Sequence, residues 1–134
     1  LRGIQTQLDT ASAGTITDGA TVIFNNTLNN QSLNIAYNAG TGEFTISAVG
    51  NYFVTWWVAT DGTSGPTTVS FEVDLDGTGV AAISASSTGQ VSGSALITVG
   101  VVPGVVQLIN VTGGDVTLVT GTPQASIVIN EVSL

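Results

Sequence analysis

The segment from Phe44 to Val58, F-T-I-S-A-V-G-N-Y-F-V-T-W-W-V, constrains the fold of this chain more than any other. It holds five of the chain's eight aromatic residues: Phe44, Tyr52, Phe53, Trp56 and Trp57. Aromatic side chains carry the largest burial per residue, so the heaviest packing is expected here. Beyond Gly50 the residues alternate as a strand does, with Tyr52, Val54, Trp56 and Val58 on one face. Phe53 and Trp57 fall on the other face, with Thr55 between them. A strand that is apolar on both faces needs cover on both. One cover is the domain's own core, and the other is expected to be a partner subunit. The competing reading is that a loop of the same chain, around residues 10–20, supplies it.

The length of 134 residues fits a single domain spanning 1–134. Twenty threonines and eighteen valines favour strands, and seventeen glycines supply turns. From Ile4 onward, short alternating or apolar runs are separated by turn signals about every eight to twelve residues, which predicts about ten strands and no helix. The runs are Ile4–Leu8, Thr21–Phe24, Leu33–Tyr37, Glu43–Ser47, the aromatic strand to Ala59, Thr67–Leu75, Val80–Ser84, Ser94–Val102, Val105–Val111, Asp115–Val119 and Ala125–Leu134. Residues 25–32, N-N-T-L-N-N-Q-S, read as an asparagine-rich loop, and S-S-T-G-Q at 86–90 as another. Asp76-Gly77 is a tight-turn signal that should fold Thr67–Leu75 back as a hairpin. The class is an all-β antiparallel sandwich or jelly roll.

The charge census removes most functions. There is no lysine, histidine or cysteine, and Arg2 alone faces nine carboxylates, for a net charge of −8. Nucleic-acid binding is excluded for want of phosphate-neutralising cations. No run approaches the ~18 apolar residues of a membrane helix, so no insertion is expected. Nucleophilic catalysis loses its bases and soft-metal binding its ligands, so no cofactor and no metal are expected. A carboxylate-only glycosidase is the remote enzymatic option, with Asp61, Glu72, Asp74 and Asp76 as the local cluster. Glu72 and Asp74 are read instead as the solvated face of a strand, and Asp74-x-Asp76-Gly77 as a hairpin rather than a calcium loop. Three Asn-x-Ser/Thr triplets begin at Asn25, Asn30 and Asn110, with the first two in the polar loop the better candidates for glycans.

One spacing carries a resemblance. Tyr37, Phe44, Gly50, Tyr52, Val54 and Trp56 stand as in the signature of the complement globular-head and tumour-necrosis-factor jelly rolls, with Val54 in place of that signature's Phe. Gly114-Asp115-Val116 resembles the turn before the penultimate strand of those domains. The closing A-S-I-V-I-N-E-V-S-L resembles the last strand of a bacterial branch, the C-terminal domain of collagen-like exosporium glycoproteins. The resemblance implies a TNF-like jelly roll with Tyr37, Phe44, Tyr52, Val54, Trp56 and Phe71 in the sandwich core. It implies a homotrimer with Phe53, Thr55 and Trp57 at the interface, and a non-enzymatic head of a collagen-like filament. The location implied is extracellular, on a spore surface. The chain, which starts at Leu1 without methionine, is then expected to be part of a longer protein whose collagen-like region precedes it. A jelly-roll head that binds a receptor, a host surface or a glycan, from a secreted or viral protein, is the alternative.

Overall fold

The structure is a computed structural model that describes residues 1–9, 14–62, 65–121 and 123–133. Strands are numbered in chain order. One five-stranded sheet is ordered β11 (Gln90–Val99), β6 (Gly50–Ala59), β14 (Ala125–Ser133), β1 (Gly3–Leu8) and β3 (Asn26–Asn30). The other is ordered β4 (Ile35–Asn38), β5 (Glu43–Ile46), β12 (Gly104–Asn110), β8 (Phe71–Leu75) and β9 (Thr78–Ala82). Two short pairs complete the set: β2 (Thr15–Ile16) with β13 (Val116–Thr117), and β7 (Thr68–Val69) with β10 (Ser86–Ser87). Every pairing is antiparallel. The two five-stranded sheets hold the ten longer strands, and β1 and β14 lie side by side.

The aromatic strand is the spine of the first sheet. β6 runs ten residues between β11 and β14, entered at Gly50 with φ of 148°, a backbone state that disfavours any Cβ. Its inward residues Tyr52, Val54, Trp56 and Val58 are buried. Across the sandwich they meet Phe44 and Phe71, also buried, with the Trp56 and Phe71 ring centroids 6.0 Å apart. Gly93 sits opposite Trp56 on β11, where a Cβ would lie 2.7 Å from the indole. The small residue is what admits the large one.

Tyr37 is half-buried, against Phe44 at 4.4 Å between centroids and Phe24 at 6.5 Å. Its hydroxyl donates to the Phe24 carbonyl and accepts from the Phe24 N–H, both at 2.7 Å. Burial pushes that hydroxyl up to about 12, against the opposing pull of the Phe24 hydrogen bond. The tyrosine thereby fastens the segment around Val22 and Phe24, both fully buried, without a regular strand there.

Several segments depart from the expectation. Residues 26–30 form a strand rather than a loop, because an edge strand needs only one partner, β1, and tolerates five exposed side chains. Thr21–Phe24 makes only an isolated bridge, Thr21 to Ile109. Thr67–Leu75 is not continuous: at Ser70 the chain leaves the β10 pairing and bonds Thr112 instead. β11 begins at Gln90, inside the stretch read as a loop, and Ser86–Ser87 pairs with β7. Asp115–Val119 shortens to Val116–Thr117, joined to Thr15–Ile16. The loops through residues 63–64 and 122 and the last residue of the final run, together with 10–13, lie outside the described residues.

Asp74 is the clearest correction. It is only 9% exposed, not on a solvated face. The strand keeps its alternation, with Asp74 opposite Gln107 on the outward side, and the register shift against β9 leaves Val80 as the extra residue, while Glu72 hydrogen-bonds to Asp74. The Asp76-Gly77 turn is formed as expected, with Asp76 at φ 53° and Leu75 opposite Thr78.

Candidate assembly face

Register turns the outward side of the first sheet into rows. At one end Thr98 Oγ1 donates to Asn51 Oδ1 at 2.7 Å, and Asn51 Nδ2 to Ser133 Oγ at 2.9 Å, binding three strands. The next row sets Leu96 opposite Phe53 and Phe53 opposite Asn130, which faces Gly3. Then come Ser94, Thr55, Val128 and Gln5, followed by Ser92, Trp57, Ser126 and Gln7. No ionisable side chain stands in any of these rows, on a chain of net charge −8.

Phe53 is 39% exposed and Leu96 67%, while Thr55 is exposed and Trp57 half-buried. Beside them, over β1 and β14, lies a shallow groove of about 410 Å³ lined by Arg2, Gly3, Gln5, Asn29, Val128 and Asn130 among others, with Arg2 at its rim the one cationic side chain. A Cβ on Gly3 would strike Asn130 Oδ1 and the Ile129 carbonyl, so glycine is what lets that amide cross the strand. The described part of the 10–20 segment is engaged elsewhere, Thr15–Ile16 with β13 and Gly19 and Ala20 with Asn110.

Sequence reasoning singled out Phe53, Thr55 and Trp57 but missed Leu96, Val128 and Asn130. The outward position of Leu96 was available from the alternation of its own strand. Its adjacency to Phe53 was not, because pairing 96 with 53 is a long-range fact. The triplet at Asn110 is closed to modification: this side chain is fully buried and donates to the Ile16 and Gly114 carbonyls at 3.0 and 3.1 Å. Asn30 Nδ2 points to the Ile35 carbonyl, and Asn25 pairs with the backbone of Asp9 through both N–H and C=O.

Neither a family profile nor a curated protein matches the sequence. Solved structures do match. Eiger TNF from S. frugiperda superposes with a TM-score of 0.72 at 13% identity, over 98% of this chain and 92% of that one. The globular domain of zebrafish complement 1qA gives 0.70 at 15% identity, over 98% and 97%. This is a TNF-like jelly roll. The PRD1 vertex protein P5 is also similar, with a TM-score of 0.64 and 17% identity over 98% and 97% of the two chains. At these identities the likeness concerns the fold of the TNF-like sandwich, and the function rests on the face just described.

Proposed function

We propose that this domain is a non-enzymatic, homotrimeric head of the C1q/TNF type, ending a collagen-like surface filament on the outside of a cell or spore. The observation that carries the reading is the run of rows on the outward side of the first sheet that hold no ionisable side chain, with Phe53 and Leu96 paired and open to water. Fully covering an exposed large apolar side chain stabilises by roughly 1.5–3 kcal/mol; Leu96, 67% exposed, gains most of that and Phe53, 39% exposed, a fraction, once per copy in a trimer. A contact in which one copy's exposed face meets a different surface of the next is heterologous, and with threefold rotation it closes into a ring. Phe53, Thr55 and Trp57 are then interface residues, and the task of the head is to bring three chains into register.

The rival carboxylate chemistry finds no support in the geometry. Glycoside hydrolysis needs two carboxyl groups separated by roughly 5 Å or more. Glu72 and Asp74 are instead hydrogen-bonded to each other on the outward side of a sheet. A second reading, a head of a secreted or viral protein that binds a receptor, a host surface or a glycan, draws on the likeness to the PRD1 vertex protein P5. It shares the trimer and differs in what precedes the domain. Gly-X-Y repeats encoded upstream of Leu1 are expected for the filament reading, and their absence from the full-length gene would contradict it.

The assembly is tested by Phe53→Asp. A carboxylate in the middle of the apolar row is expected to raise the dissociation constant of the assembly by at least ~100-fold, since an unpaired buried charge costs several kcal/mol. The β-type circular dichroism should persist, because Phe53 contributes nothing to the sandwich interior. Sedimentation of this variant at the same mass as the parent protein would contradict the proposal.

A further inference from the structure

The second sheet contains a feature that the assembly reading leaves unused. Glu72 and Asp74 project from the outward side of β8, next to the edge strand β9. Asp74 is nine-tenths buried, and its Oδ1 has no hydrogen-bond partner. The Glu72 carboxyl occupies the space over Gly79 of β9, where any Cβ would collide with Oε2. A carboxyl so placed holds β8 and β9 together only while it tolerates its neighbour.

Nothing in the surroundings supplies a counter-charge. β9 reads T-G-V-A-A and β12 reads G-V-V-Q-L-I-N, neither with an ionisable side chain. The nearest titratable group in sequence, Asp76, is another acid, and its Oδ1 accepts from the Val105 N–H. Arg2, the only cationic side chain, belongs to the terminal stretch whose backbone N–H bonds Glu131. Two adjacent carboxyl groups with no cation can be reconciled by one shared proton.

We propose that Glu72 and Asp74 form a proton-locked pair that fastens the β9 edge in acid and loosens it as the pair ionises. The direction of titration agrees. Glu72 is pushed up by burial and then by the Asp74 charge and hydrogen bond, and Asp74 is pushed up by burial, against the Glu72 hydrogen bond. A carboxyl whose value is higher folded than unfolded adds stability at low pH, and that stability is lost as pH rises through the folded value. β9 is the exposed rim of its sheet, with Val80 46% exposed. Loosening it would uncover the hydrogen-bonding edge of β8 to another strand.

Hydrogen exchange of the β9 amides, corrected for intrinsic rates, reads the lock directly. Between about pH 8 and about pH 3, below the ordinary carboxylate range, opening is expected to become at least ~10-fold rarer, or about 1.4 kcal/mol of edge stability. Glu72→Gln keeps a donor for Asp74 without the charge and is expected to show slower β9 exchange than the parent at about pH 8 and a shallower pH dependence. Asp74→Asn serves as a second variant, with the same shallower profile. In the parent protein the Glu72 carboxyl carbon should titrate above the usual carboxylate range by NMR. Ordinary titration of Glu72 with unchanged β9 exchange would overturn the proposal. So would calcium chloride at about pH 8 reproducing the effect of acid, which would make the pair a cation site. Neither result depends on the oligomeric state, so the lock and the trimer fail separately.

Discussion

Trp56 and Gly93 show how single residues set the packing. The indole fits because its cross-strand neighbour has no side chain, and Ile83 closes in from the other side, with its Cγ2 2.9 Å from where a Gly93 Cβ would sit. Gly93→Val is therefore expected to overpack the site and destabilise the fold by about 1–3 kcal/mol. A urea titration would show a lower midpoint with unchanged slope. An unaltered midpoint would mean that the indole has room to move. The inward position of Trp56 was legible from alternation alone, whereas the role of Gly93 was not, since it depends on which strand lies alongside. Asp74 failed for a related reason. Alternation put it on the outward side, where it lies, but could not show that it is covered there, with Glu72 lying over the bare Gly79 beside it.

At the scale of elements, β3 is a strand that its composition hides. Asparagine is poor in strands, yet here the amides are put to use. Asn26 Nδ2 and Gln7 Nε2 donate to the two oxygens of Asp9 at 2.7 and 2.8 Å, and Asn25 pairs with the Asp9 backbone. The Asn25 and Asn26 bonds span 16 and 17 residues, so a window of ten residues could not reveal them. The opposite end is held by Glu131 near the end of β14, which accepts from Ser32 Oγ, the Arg2 N–H at 3.1 Å and Asn34 Nδ2 at 3.0 Å. Burial pushes Glu131 up, but these bonds outweigh it and hold the carboxyl below its ordinary value. A lowered folded value adds stability at neutral pH that is lost as pH falls through it. The parent protein is thus expected to lose more stability than Glu131→Gln when pH drops from neutral to below 4.5, with thermal unfolding as the readout. Equal losses would show that the clasp adds nothing. This dependence runs opposite to that of the Glu72–Asp74 lock, so the two separate in one pH series.

For the whole molecule, the turn spacing was enough for the all-β sandwich and for its longer strands other than β3. The order of strands within each sheet was not accessible, because every neighbour of β6 is distant in sequence. The proposed assembly rests on what the single chain leaves uncovered. Its interior is closed by its own residues, while the Phe53–Leu96 row stays open and no charge interrupts the surrounding rows. Such a surface on a monomer would be an association hazard, and a closed ring removes it. The native mass in solution at micromolar concentration is the most direct measurement of this. A species of three times the 13.5 kDa chain is expected, and a single 13.5 kDa species under those conditions would contradict the account.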